Sequence, residues 1–316
     1  MIVFVLAFRA WNRIQSNMQL VEKIRNYGSL VRFSHTVFAL PFALASVALA
    51  WPSHPVTLRN LLWILIAMVS ARSAAMAFNR LVDRRFDAHN PRTENWELPQ
   101  GTVKVWEAVL LTVMSAAIFV YAAYQINLIC FLLSPVALAI LFFYSLTKRF
   151  TWASHLFLGL ALSLAPMGAW LAVAGSPIDL LELATPFFLG LAVLFWLAGF
   201  DIIYALQDLE FDRKEGLRSI PVRFGIAGAL RLSSLFHVCT VIFLAAVGLS
   251  AQMGVVYWFG FVIVSIILFW EHRLVTPTDL SRINRAFFNF NAYVSVGYLL
   301  TIVADLLLIT GSRIGR

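Results

Sequence analysis

The chain has 316 residues, of which 61% are hydrophobic and only 13% charged, and its mean hydropathy is +0.82. Soluble globular domains carry roughly 25% charged residues, so the composition excludes that class and points to a polytopic membrane protein. The net charge of +8 does not require nucleic acid, because Lys and Arg accumulate in cytoplasmic loops and there meet anionic lipid headgroups.

Residues 1–28 open with a short apolar run, Met1 to Phe8. It is too short to span a bilayer and lacks a small-residue cleavage site, so the segment reads as interfacial and not as a signal peptide. Residues 29–316 read as one transmembrane domain. A crossing takes about 20 apolar residues, and long enough runs fall near 30–51, 58–80, 104–124, 126–146, 154–174, 184–206, 227–248, 252–271 and 287–310. The expected fold is therefore all-α, with nine transmembrane helices. Pro41, Pro135, Pro166 and Gly199 lie inside these runs and suggest kinks. Cys130 and Cys239 are both in predicted helices, which leaves no disulfide framework and no zinc spacing.

Basic residues concentrate before the first helix, around the second connection, at Lys148/Arg149, at Arg213 to Arg223 and at Arg273 to Arg285, which is every second connection. The intervening loops are nearly bare. The positive-inside rule then puts the N-terminus in the cytoplasm and the C-terminus outside.

Acidic residues are distributed quite differently. Nine of the 16 lie in two short stretches, Asp83 to Glu97 and Asp201 to Glu215, each directly after a long apolar run. Both stretches fall on the cytoplasmic side. Asp83 and Asp87 are four residues apart, as are Asp208 and Asp212, so each pair should share one face of a helical turn. Two carboxylates that close repel unless a cation lies between them. Mg²⁺ suits the position, since it prefers oxygen ligands and is usually held by one or two carboxylates plus substrate phosphates. Asn79 extends the first stripe, and Arg80, Arg84, Arg85, Arg92, Arg213, Lys214 and Arg218 flank the pairs as candidate phosphate ligands. A solvated, salt-bridged helix end is the simpler account of one such motif. Two of them 125 residues apart, with equal spacing and Phe before the second Asp, on the same membrane face, make that account the weaker one.

With these motifs the chain resembles the UbiA superfamily of intramembrane aromatic prenyltransferases. The first signature, N-x-x-x-D-x-x-x-D, is matched by Asn79, Asp83 and Asp87 and continued by Asn90-Pro91-Arg92-Thr93 and Leu98-Pro99-x-Gly101. The second is matched by Tyr204, Ala205, Asp208, Asp212, Lys214 and Gly216, and a basic stretch by Tyr144-Ser145-Leu146-Thr147-Lys148-Arg149. Two positions depart from the pattern: Ser145 replaces the usual Pro, and Trp96 stands where many members carry Arg. The resemblance covers about residue 30 to the end. It implies helices enclosing a central cavity, and Mg²⁺-dependent transfer of a polyprenyl group from polyprenyl diphosphate to an aromatic acid, 4-hydroxybenzoate or alternatively a hydroxynaphthoate, in quinone biosynthesis. It also implies a bacterial-type inner membrane with the active site on the cytoplasmic face, and no obligate protein partner.

The implied metal ligands are Asp83, Asp87, Asp208 and Asp212. Asn79, Arg72, Arg92, Lys148, Arg149, Asp201, Lys214 and Arg218 are the candidate substrate ligands, and Tyr204 the aromatic face for a carbocation. Arg72 precedes Asn79 by seven and is expected to bind diphosphate or the acceptor carboxylate. Asp201 precedes Asp208 by seven and is expected to hold a basic side chain or accept a proton. Arg32 reads as a membrane anchor and His35 opens the first helix with it. His155 and His237 read as satisfied packing residues, and Asp305 as interfacial. A secondary transporter is the alternative of another class, but its polar residues belong near the midplane, whereas here they cluster at the cytoplasmic ends.

Overall fold

The computed structural model describes residues 23, 25–31, 36–175 and 181–314. Most of the expected interfacial segment, together with Arg32 and His35, lies outside them. The described chain is helical, with a single isolated bridge between Thr276 and Asp279. The helices are α1 (Thr36–Ala50), α2 (Leu58–His89), α3 (Val105–Ile126), α4 (Leu128–Phe143), α5 (Ser154–Ala174), α6 (Ala184–Ala205), α7 (Ile220–Ser250), α8 (Val255–Leu274) and α9 (Asn291–Ile314). Eight segments, all but α1, are long and apolar enough to cross a membrane. Nine crossings were expected. The helix α1 has 15 residues and falls short among the described residues, because 32–35, which the hydropathy includes, lie outside them.

The boundaries that matter for the site are those of α2 and α6. Thr57 caps α2 by accepting from Asn60 N, and no Gly or Pro interrupts the sequence until Pro91. Its 32 residues reach about 48 Å at 1.5 Å per residue, against a hydrocarbon core of about 30 Å. The helix therefore carries Asn79, Asp83 and Asp87 past the end of its apolar run. It stops at Asn90 (φ −90°, ψ 120°), since the following proline disfavours helical backbone there. The second motif is less regular than a helical turn predicts. After α6 the backbone tightens into a 3₁₀ turn, Leu206–Asp208, and re-enters helix at Leu209–Lys214, so Asp208 sits at the junction and Asp212 beyond it.

Packing follows membrane rules, in which small residues let helices approach. Gly199 does not act as a kink: a Cβ placed on it would lie 2.4 Å from His237 Cδ2, and Ser233 Oγ donates to its carbonyl at 2.6 Å. It is a contact point between α6 and α7. The helical break falls instead at Gly225, whose φ of 68° interrupts α7 and which a residue with a side chain rarely adopts. Phe42, Trp196, Tyr257 and Tyr298 form the aromatic centre where α1, α6, α8 and α9 meet, while Leu110, Val113, Leu132 and Phe259 are exposed toward the lipid position. His237 is satisfied as expected, by Trp196 O and His272 Nε2. Asp305, expected from the sequence to be interfacial, has a structural role. It is buried and accepts from Gly254 N and Tyr257 N, capping α8 because the residue at its N-cap, Gly254, has no side chain to do so.

The close approach at Gly199 makes a prediction. Gly199→Ala forces His237 to move and is expected to cost about 1–3 kcal/mol, whereas Gly297→Ala, with nothing within 4 Å of the added carbon, costs nothing or stabilises. Thermal loss of monodisperse protein in detergent measures both, and equal midpoints for the two variants contradict the packing argument.

Candidate active site

A cavity of about 610 Å³ lies among α2 to α6 and reaches α1 at Ala39 and Leu40. Its body is apolar, with Ile64, Met68, Leu141, Leu162, Leu197 and Phe200 on the wall. Its polar end is formed by Asn79, Asp83, Asp87, Arg92, Lys148, Tyr204 and Asp208. The two acidic motifs, far apart in sequence, thus meet at one mouth.

On the α2 side, Asn79 Nδ2 donates to Asp83 Oδ2 at 3.0 Å and Arg149 Nη2 to Asp83 Oδ1 at 3.2 Å. Arg80 Nη1 stands 3.9 Å from Asp87 Oδ2, and its guanidinium lies 3.6 Å from the Trp96 ring centroid. On the α6 side, Arg92 grips Asp208 with both prongs, Nε to Oδ1 at 2.8 Å and Nη2 to Oδ2 at 2.7 Å, and Asn90 Nδ2 adds a third bond at 3.0 Å. Arg92 also reaches the Tyr204 hydroxyl at 3.5 Å. Burial opposes charge on Arg92, but the hydrogen bonds and charge of Asp208 prevail and raise its pKa. Lys148 Nζ is 4.0 Å from Asp212 Oδ2, and Asp208, Asp201 and Asp83 also act on its charge. The 3₁₀ turn Tyr144–Arg149 at the end of α4 delivers both basic residues.

The donor set can be tested against a divalent cation. Asp87 Oδ2 and Asp212 Oδ2 are buried and accept no hydrogen bond; Arg80 and Lys148 neutralise them only from 3.9 and 4.0 Å, which leaves each oxygen with coordination capacity for a further cation. Asp83 retains a partly exposed carboxylate beside them. Asp208 fits least well, since Arg92 and Asn90 already occupy it. Among the described residues no three acidic, His or Cys side chains converge into a complete ligand set. That agrees with an ion such as Mg²⁺, which takes one or two carboxylates and completes its shell with water and phosphate.

Of the residues anticipated from sequence, Arg72 and Asp201 line the cavity deeper than the motifs. Asp212 is 2% exposed and touches the site through Lys148 rather than through the wall. Lys214 and Arg218 are exposed and neither lines the cavity; Lys214 ends the short helix Leu209–Lys214, while Arg218 donates its backbone N–H to Lys148 O and its guanidinium to Phe150 O, both at 2.7 Å. Sequence reasoning undervalued three residues: Trp96, which stacks with Arg80 and Arg92, Asn90, and His155, whose Nδ1 is 2.7 Å from Asp201 Oδ2. Only Asn90 carried a sequence signal, as part of the extended first motif.

Paired carboxylates and cations at the mouth of a lipid-shaped cavity define an intramembrane enzyme acting on an anionic, apolar-tailed substrate. The sequence model of the UbiA prenyltransferase family matches residues 39–293, and the chain belongs to that family and is a prenyltransferase. It is 30% identical over 289 residues to a 4-hydroxybenzoate octaprenyltransferase of Vibrio cholerae, covering 90% of this chain and 96% of the relative. To the same-named protein of Pseudomonas aeruginosa it is 29% identical over 298 residues, 94% of each. The solved UbiA homolog from Aeropyrum pernix K1, an apo structure, superposes with a TM-score of 0.79 at 32% identity, covering 86% of this chain and 98% of the homolog. The Archaeoglobus fulgidus homolog shares the fold, with a TM-score of 0.61 at 22% identity over 88% of this chain and 99% of that one.

The Arg92–Asp208 fork supplies a prediction. Arg92→Met leaves Asp208 buried with Asn90 alone and is expected to lower stability by about 2–3 kcal/mol, less than a fully buried pair because Arg92 is partly exposed. The double variant Arg92→Met/Asp208→Leu recovers most of that loss. Chemical unfolding of the four-member cycle in detergent decides the matter, and additive losses contradict direct coupling.

Proposed function

We propose that the chain transfers a polyprenyl group from polyprenyl diphosphate to an aromatic acid, most specifically 4-hydroxybenzoate, with Mg²⁺. The observation that carries this reading is the convergence of both acidic pairs with Arg92 and Lys148 at the polar end of an apolar cavity. The relatives named as 4-hydroxybenzoate octaprenyltransferases support the acceptor, and the A. fulgidus homolog solved with DMAPP and Mg²⁺ supports the donor and the ion. Asp83 and Asp87 on α2, and Asp212 across the mouth, would each offer a carboxylate to Mg²⁺, which takes one or two of them with water and phosphate as its remaining ligands, and Asp208 would be free to join if Arg92 exchanged it for a phosphate oxygen.

The residues divide the work by depth. Lys148 and Arg92 bind the diphosphate and stabilise the charge that grows on it as the allylic C–O bond breaks. Bound Mg²⁺ supplies further neutralisation of that leaving group. The tail lies along the apolar wall, which excludes water from the carbocation, and the Tyr204 ring presents a face to it. Arg72 lies seven residues before Asn79 on α2, about 10 Å further in. From there it takes the acceptor carboxylate, which aims the electron-rich ring at the allylic carbon. Bacterial relatives and the basic-residue bias support an inner-membrane enzyme with its mouth facing the cytoplasm.

Two experiments test this. Membranes supplied with geranyl diphosphate and 4-hydroxybenzoate are expected to release pyrophosphate only with Mg²⁺, and Asp83→Asn, Asp87→Asn or Asp212→Asn to lower turnover by about 10² or more. Arg72→Gln raises KM for the acid, Lys148→Gln weakens affinity for Mg-pyrophosphate, and Arg282→Gln, away from the cavity, changes neither. Product formed from a hydroxynaphthoate but not from 4-hydroxybenzoate reassigns the acceptor, and equal effects of all three basic variants contradict the site. For the orientation, single cysteines at Arg213 and Gln252 in a background lacking Cys130 and Cys239 are expected to label from opposite sides, Arg213→Cys from the cytoplasm. Labelling of both from one side refutes the topology.

A further inference from the structure

Four carboxylates line the cavity among the described residues: Asp83, Asp87, Asp208 and Asp201. The first three belong to the diphosphate end. Asp201 lies on α6 seven residues before Asp208, which sits on the 3₁₀ turn that follows; both line the cavity, Asp201 about 10 Å deeper. It faces the part of the cavity where the acceptor ring would lie. Its Oδ2 is bound at 2.7 Å by Nδ1 of His155 on α5, a residue with 0% exposure. His155 Nε2 is buried as well and meets no hydrogen-bond partner, so Asp201 is the one polar group that engages the ring among the described residues. Lys148 is within electrostatic reach of Asp201 and Asp212 within reach of His155, and Arg72 lines the same cavity.

We propose that Asp201 accepts the proton released in the transfer and that His155 is the positioning residue that holds its carboxylate for this step. The inference rests on the aromatic acceptor proposed above. As the ring attacks, a C–C bond forms at the allylic carbon, and the C–O bond to diphosphate has broken with its electron pair leaving on the diphosphate. The attacked ring carbon then loses its hydrogen: the C–H electrons restore aromaticity and the proton passes to Asp201 Oδ1. His155 keeps Oδ2 engaged, which leaves Oδ1 directed to the cavity. The depth fits the chemistry, because the carbon that loses the proton is bonded to the allylic carbon, itself beneath the diphosphate. No other carboxylate lines the cavity at that level. A base must be within hydrogen-bond reach of the proton it takes, and orienting it through a second group is the usual way to keep it there.

The test compares wild type with Asp201→Asn, His155→Leu and His155→Gln, using geranyl diphosphate and 4-hydroxybenzoate carrying hydrogen or deuterium beside the hydroxyl. Asp201→Asn is expected to lower turnover about 10²-fold, and His155→Leu on the order of tenfold through loss of alignment. His155→Gln, whose amide retains a donor, recovers part of the second loss. Affinity for Mg-pyrophosphate is expected to be unchanged in all three. In Asp201→Asn and His155→Leu a primary deuterium isotope effect absent from the wild type emerges, because proton loss has become limiting. A structural role for His155 lowers the amount of folded enzyme without producing that effect. Normal turnover in Asp201→Asn, or slow turnover without an isotope effect in both variants, overturns the proposal. Wild-type enzyme that prenylates no aromatic acid removes the acceptor reading and this one together; active wild type with isotope-silent variants removes this one alone.

Discussion

The structure is organised around the cost of gathering carboxylates where an apolar cavity meets the membrane face. A charge at such a depth is tolerated only with a partner, and Asp208, Asp212, Asp87 and Asp83 each have one. Most partners come from other elements, Arg92 from the α2–α3 connection and Lys148 and Arg149 from the turn after α4, while Arg80 meets Asp87 from two turns earlier on the same face of α2. Neutralisation therefore does the folding work at the mouth. Arg92 reaching Asp208 fixes where the loop after α2 lies, Trp96 on that loop stacks on Arg80, and Arg80 faces Asp87. A continuous polar chain thus ties the first acidic motif to the second, without which neither would be held over the cavity.

Two straight helices convert this mouth into a graded site. Residues seven apart on a helix share a face at a separation of about 10 Å, so α2 carries Arg72 below Asn79, and α6 carries Asp201 two turns before the 3₁₀ turn that bears Asp208, both lining the cavity. On the function proposed above, the upper level would take the diphosphate and the lower one the ring with its acidic substituent. The apolar wall beyond them matches an isoprenoid tail. Substrate order in space is thereby set by helical periodicity, with no specialised loop needed below the mouth.

Much of this was legible in the sequence because hydropathy and charge are strong one-dimensional signals. The apolar runs gave the helices to within a few residues, although α2 and α7 extend well past theirs, since helix continues through charged residues until Pro91 or Ser219 stops it. The paired Asp residues announced a shared mouth. What the sequence could not display were partners distant along the chain. His155 reads as one polar group on an apolar helix until α6 brings Asp201 against it, 46 residues away. Asp305 reads as an outer-face residue until α8 presents uncapped N–H groups to it. Lys214 and Arg218 carry the charge the motif leads one to expect, but both side chains are exposed and the Arg218 guanidinium is engaged by Phe150 O, a contact that composition does not reveal. Trp96 looked like a defect in a pattern and proves to be the surface on which two guanidinium groups rest.

The two sides of the mouth are not equally fixed. The helix α6 is buried along nearly its whole length and is locked to α5 and α7 through positions with no room for a side chain, Gly159 against Leu194 O and Gly199 against His237. Asp201 thus sits on a rigid element, and Asp208 lies three residues beyond its end. The connection that bears Arg92 is held differently. Glu94, Asn95, Gln100 and Gly101 are exposed, and its hold on α6 is the hydrogen-bonded fork to Asp208 rather than packed apolar surface. Polar contacts of this kind exchange more readily than a close-packed interface yields. On the function proposed above, a bound diphosphate would offer Arg92 a second bidentate anion at the same place, and its transfer from Asp208 would uncover that carboxylate for a cation. The fork to Asp208 that holds the connection in place is thus also the contact that such a substrate would compete for.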